Sequence, residues 1–185
     1  MKQYWQDVDR ILVSEEQIQQ TVTRIAKQID EDYKDKDLII LCILKGSVVF
    51  FSDLLRKITV PAEMDFMRVS SYGAGTKTSG NIRILLDIDH SRLKTSEILI
   101  IEDIIDSGRT LSYLCEYLKL RGAKSVRTCT LLDKPDRREV EFVPDYVGIV
   151  IPDEFVVGYG LDYDEKYRTL PYVGVLKEEI YKNKE

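Results

Sequence analysis

Three carboxylates fall within five residues in the run Ile98-Leu99-Ile100-Ile101-Glu102-Asp103-Ile104-Ile105-Asp106-Ser107-Gly108-Arg109-Thr110-Leu111. Neighbouring acids on an apolar strand are costly unless they face cations or sugar hydroxyls, and carboxylate oxygens are hard ligands suited to Mg²⁺. The Ser-Gly-Arg-Thr that follows gathers hydroxyls and backbone N–H groups at a helix start, where the helix dipole adds to the attraction for a phosphate. The chemistry on offer is the handling of a phosphate-bearing small molecule together with a divalent cation. A buried strand with a charged end explains Ile98 to Ile101 but not the acids and the loop behind them.

Other polar positions complement this run. Leu44-Lys45-Gly46-Ser47 closes an apolar stretch; a lysine beside amides at a helix start suits a phosphate, and a plain strand-to-helix turn equally well. The stretch Ile151 to Tyr163 offers an aromatic ring at Phe155, backbone amides at Val156 and a carboxylate at Asp162. Lys134 ends Leu131-Leu132-Asp133-Lys134, and Arg168 lies in Tyr167-Arg168-Thr169, where a guanidinium fork suits phosphate oxygens. Ser70-Ser71-Tyr72-Gly73 opens a Gly-, Ser- and Thr-rich stretch that reads as a long loop to Asn81, a common form of active-site lid. Neither G-x-G-x-x-G nor G-x-x-x-x-G-K-[ST] occurs, so no dinucleotide fingerprint and no Walker loop is expected. Cys42, Cys115 and Cys129 sit in apolar runs without a CxxC and read as reduced core residues. His90, the only histidine, lies in a turn with no nucleophile elbow beside it.

Periodicity indicates the elements that must position these groups. Ser14 and Gln17 form a capping box, and Ile18, Val22, Ile25, Ala26 and Ile29 recur at helical spacing to about Tyr33. Leu38 to Leu44 is apolar on both faces, as a parallel strand covered on both sides must be. A helix is predicted over 48–58, strands over 63–71 and 83–87, and a buried strand over 98–101. A helix from about Thr110 to Arg121 stops at Gly122, and strands follow over 126–132 and 146–151. This order is α/β with a mostly parallel central sheet. After Pro152, short Gly-, Tyr- and Asp-rich pieces read as an appended cap.

A chain of 185 residues, 44% hydrophobic and 32% charged, has the size and balance of one soluble globular domain. A net charge of −5 disfavours a dedicated nucleic-acid binder, which would show a basic patch. Met1 to Arg10 holds no apolar leader, and no apolar run nears the ~20 residues of a membrane span. A cytoplasmic, reducing setting is expected.

From about Ile11 to Leu176, two long motifs and three short ones occur in one order that resembles the type I phosphoribosyltransferases, most closely those acting on 6-oxopurines. The resemblance implies the α/β type I phosphoribosyltransferase fold over 1–185. The core would span about 11–151, under a hood made of the N-terminal segment and about 152–185. It implies transfer of the 5-phosphoribosyl group from 5-phosphoribosyl 1-diphosphate to N9 of hypoxanthine or guanine. The products are IMP or GMP and pyrophosphate, made in purine salvage with Mg²⁺. By the same resemblance Ser107, Gly108, Arg109 and Thr110 cradle the 5′-phosphate. Lys45, Gly46 and Arg168 hold pyrophosphate, with an unusual cis peptide at Lys45-Gly46, and Ser71 and Tyr72 belong to a catalytic loop. Lys134 donates to the purine 6-oxo group, Phe155 stacks on the base and Val156 meets its edge. Glu102 and Asp103 face ribose hydroxyls and metal, with Asp162 near metal and base. Asp106, between the phosphate loop and the base, is the expected proton acceptor, unless it only caps the following helix. A homodimer or homotetramer is expected, without nucleic acid or membrane. Two alternatives stay open: a xanthine-preferring phosphoribosyltransferase, and a nucleotide-sensing, RNA-binding regulator of the same fold. The acidic balance and the joint presence of Lys134, Phe155 and Asp162 disfavour the regulator.

Overall fold

The computed structural model describes residues 4–71 and 82–182, with backbone alone at Ser71 and His90. The lid reading over 72–81, and Tyr72 with it, lies outside the described residues. The chain opens with a strand, β1 (Val8–Val13), and then α1 (Glu15–Asp32). Both halves of the capping box are present: Ser14 N–H donates to Gln17 Oε1 at 2.8 Å, and Gln17 N–H to Ser14 Oγ at 3.2 Å.

Strands β2 (Leu38–Leu44), β3 (Ala62–Ser71), β4 (Ile82–Leu86), β5 (Glu97–Ile105), β6 (Ser125–Asp133) and β7 (Tyr146–Val150) form one sheet in the order β4-β3-β2-β5-β6-β7. All neighbours are parallel except the β3–β4 hairpin. Helices α2 (Val48–Leu55) and α3 (Arg109–Leu120) follow β2 and β5. The unbroken apolar run of β2 resolves into two interleaved faces. Leu38, Ile40 and Cys42 pack with α1 and α2; Ile39, Leu41 and Ile43 pack with Leu111, Leu114 and Leu118 of α3. This is the two-sided burial expected of a central parallel strand. Cys42 and Cys129 lie in the first of these clusters and Cys115 in the second, all three buried as free thiols.

A second, antiparallel sheet joins β1 to β9 (Val173–Leu176) and β8 (Val156–Val157) in the order β1-β9-β8. A short α4 (Glu178–Tyr181) follows it. Two differences from the sequence reading bear on the site. The strand expected over 98–101 continues to Ile105, paired as far as Ile105 with Asp133, so Glu102 and Asp103 belong to the strand itself. The helix expected to reach residue 58 ends at Leu55. Among the described residues no helix is long and apolar enough to cross a membrane.

Candidate active site

Open parallel sheets present their ligand sites beyond the carboxyl ends of the strands. Here β2, β5 and β6 lie side by side, so the turns after Leu44, Ile105 and Asp133 converge; Lys134 N–H donates to Ile105 O at 3.0 Å. Groups from three distant parts of the sequence meet for that reason.

On β5, burial, and then the charge of Asp103, push the Glu102 carboxyl well above the usual range. Burial likewise raises Asp103 to about 6, partly offset by backbone N–H donors, one of them Ile104 at 2.8 Å, and by Arg168. The Asp103 carboxylate lies against Gly46: a Cβ there would stand 1.8 Å from Asp103 Oδ2. A Cβ on Gly160, at φ +100°, would stand 2.0 Å from Gly46 O. The two glycines thus let two backbone segments and a carboxylate close on one point.

Below them the loop Asp106-Ser107-Gly108 leads into α3. Gly108 is the helix N-cap, and Arg109 N–H points at Ser107 Oγ, 3.4 Å away. Asp106 is therefore not the cap. A cavity of about 120 Å³ is lined by Glu102, Asp106, Ser107, Gly108 and Thr110. The Arg109 guanidinium turns aside, Nε to Glu139 Oε2 at 2.6 Å, and is not among the groups that line the cavity.

The cis peptide of this region lies between Leu44 and Lys45, one bond earlier than the resemblance suggests. Lys45 Nζ reaches both carboxylate oxygens of Glu165 at 3.0 Å. Arg168 contacts Gly160 O at 2.8 Å, Asp162 Oδ1 at 2.9 Å and Glu165 Oε2 at 3.3 Å. Lys45 and Arg168, the two cations expected to share one anion, are gathered around Glu165. Glu165 escaped the sequence reading. Asp164 and Glu165 both have positive φ, 54° and 58°, inside a Tyr163–Lys166 bridge, the geometry of a type I′ turn that folds Glu165 back over the site.

A larger cavity, about 400 Å³, is lined by Ile104, Asp106, Lys134, Phe155, Val156 and Leu161, with Tyr181 at its rim. Lys134 is only 7% exposed, and its Nζ stands 3.8 Å from Asp106 Oδ1. That oxygen is buried and accepts no hydrogen bond among the described residues. Phe155 keeps 38% of its surface and stacks on Tyr181, with centroids 4.7 Å apart and planes 17° apart. Val156 is buried in β8, opposite Val175. Tyr181 lies past the last motif, and only the pairing of β8 with β9 brings α4 back to the ring.

Among the described residues no group of three His, Cys, Asp or Glu forms a metal cage by itself. The donor chemistry at Glu102 and Asp103 still fits a hard cation that takes its remaining ligands from a polyphosphate. Two adjacent, partly buried carboxylates whose ionisation is disfavoured are relieved by a divalent charge.

The Phosphoribosyl transferase domain family matches residues 11–164. The chain is 51% identical over 175 residues to a hypoxanthine-guanine phosphoribosyltransferase of Streptococcus thermophilus, covering 95% of this chain and 97% of that one. It is 50% identical to the bifunctional protein TilS/HprT of Listeria monocytogenes, spanning 27% of that longer chain. Its structure is similar to a hypoxanthine phosphoribosyltransferase from Staphylococcus aureus, with a TM-score of 0.92, 46% identity and 96% of each chain covered.

Proposed function

The chain belongs to the phosphoribosyl transferase family, and on that premise we propose that it transfers the phosphoribosyl group of 5-phosphoribosyl 1-diphosphate to N9 of hypoxanthine or guanine. The observation that carries this reading is the cavity holding Lys134, Asp106 and Phe155 together, beside the smaller cavity of the phosphate loop. A purine stacked on Phe155 presents its 6-oxo group to the Lys134 ammonium, which an adenine 6-amino group could not accept. N9 attacks C1′ as the bond from C1′ to pyrophosphate breaks. Asp106 takes the proton that the purine ring sheds.

The 5′-phosphate sits on the amides and hydroxyls of 107–110. Lys45, the Gly46 backbone and Arg168 hold the departing pyrophosphate. Glu102 and Asp103, with Asp162 near, would hold Mg²⁺, which when bound stabilises the charge that grows on pyrophosphate. The segments outside about 11–151 act as a hood over the base, and the enzyme works in purine salvage in the cytoplasm as a homodimer or homotetramer.

The deciding assay measures pyrophosphate release with hypoxanthine, guanine, xanthine and adenine, each with and without a chelator of divalent cations. Turnover of hypoxanthine and guanine, no turnover of adenine, and loss of activity in chelator are expected. Preference for xanthine would move the substrate, and full activity in chelator would remove the metal from the reading.

A further inference from the structure

Resting on the reading of 107–110 as the 5′-phosphate cradle, we propose that Arg138 is a positioning residue that aims the amides of this cradle. One arm of its guanidinium, Nη1, donates to the backbone carbonyl of Asp106; the other, Nη2, pairs with Asp133 Oδ1. The next two residues complete the grip: Glu139 N–H and Val140 N–H donate to Ser107 O at 3.0 and 3.3 Å. The carbonyls of Asp106 and Ser107 are thus both drawn toward the 138–140 segment.

The peptides after Asp106 and Ser107 are trans, and in a trans peptide the N–H points opposite to its C=O. With those two carbonyls pinned to one side, the N–H groups of Ser107 and Gly108 point to the other. The cavity lined by Ser107, Gly108 and Thr110 opens next to this loop. Rotation of either peptide by half a turn would bring a carbonyl oxygen toward a phosphate dianion, and the grip opposes that rotation. The Arg138 stem also packs on the loop, its Cδ 3.0 Å from the place a Gly108 Cβ would take.

The Arg138–Asp133 pair is largely buried, with side chains 16% and 12% exposed. Buried ion pairs contribute little net stability compared with an apolar pair of the same volume, so orientation is what this one supplies.

Removing Arg138 alone leaves Asp133 buried and unpaired, so the test uses the double variant Asp133→Leu/Arg138→Met together with Arg138→Lys. The readouts are KM for 5-phosphoribosyl 1-diphosphate and hypoxanthine, Kd for IMP and for pyrophosphate, and Tm. In the double variant the donor KM and the IMP Kd are expected to rise about tenfold, the loss of charge-assisted hydrogen bonds to the phosphate. Hypoxanthine KM and pyrophosphate Kd should stay at wild-type values, and Arg138→Lys should recover part of the loss. Unchanged donor and IMP binding overturns the proposal, as does a parallel weakening of all four ligands in step with Tm. Thr110→Val separates this from the underlying reading. If it weakens IMP while the Arg138 variants do not, the brace alone is wrong; if it leaves IMP binding unchanged, the cradle assignment falls and the brace with it.

Discussion

At Asp106 the backbone and the side chain do separate things. The carbonyl is tied to Arg138, while Oδ1 is buried 3.8 Å from the Lys134 ammonium and is free of hydrogen-bond donors among the described residues. Asn in its place keeps the shape and the loop but cannot take a proton. Asp106→Asn is expected to lower kcat by roughly 10²–10⁴-fold with the donor KM largely kept, the size of a lost general base. Steady-state kinetics at neutral pH decide it: wild-type turnover would send the proton to solvent instead. Side chains that sat inside a motif drew notice from the sequence, and the structure brings Lys134, Phe155 and Val156 to one cavity and pairs Asp162 with Arg168. Glu165 and Arg138 drew none, for a physical reason: what they do depends on partners far along the chain. Glu165 meets Lys45 from 120 positions away and Arg138 meets Asp106 from 32.

Among the elements, the contact that fixes the 158–162 turn to the helical layer is a carboxylate on α2. Asp53 Oδ2 accepts from Tyr159 OH at 2.6 Å and from Gln19 of α1 at 3.2 Å, and Arg56 pairs with the other oxygen. Burial raises the Asp53 carboxyl, but the hydrogen bonds from Tyr159, Arg56 and Gln19 outweigh it and hold the group below its ordinary value. A depressed carboxylate contributes stability above its unfolded pKa, near about 4, and that contribution is lost as pH falls through the folded value. Tyr159→Phe is expected to cost about 1 kcal/mol at neutral pH. The gap to wild type should narrow as pH falls below about 4 and on through the lowered folded value, where the native carboxylate finally takes up its proton. Urea unfolding at pH 7 and pH 3 measures both; a gap that does not change with pH would mean the tyrosine acts by packing alone. This level of structure was half legible. Helices and parallel strands announced themselves by periodicity and by double-faced apolar runs. Strands β1, β8 and β9 did not, because two to six residues carry little period and β1 finds its partner β9 at the other end of the chain.

Across the whole molecule, α/β order and a largely parallel sheet follow from the sequence, since every strand of that sheet is either apolar throughout or flanked by turn residues. The second sheet shows in no periodicity, although the hood expected from the N-terminal segment and about 152–185 draws on the same segments, and its pairing brings Phe155 and Tyr181 together at the larger cavity. The three thiols have a consequence of their own. Burial pushes Cys42 and Cys115 up to about 11 and raises Cys129 as well, so none is a nucleophile in the closed protein. An aromatic disulfide reagent should therefore react slowly with the native chain, at a rate set by opening motions, and at once in denaturant. Immediate labelling of all three in buffer would contradict their burial. Because Cys42 and Cys129 belong to the α1/α2 side of the sheet and Cys115 to the α3 side, the order of labelling is a clock. It tells which helical layer lifts from the sheet first, with no probe added to the protein.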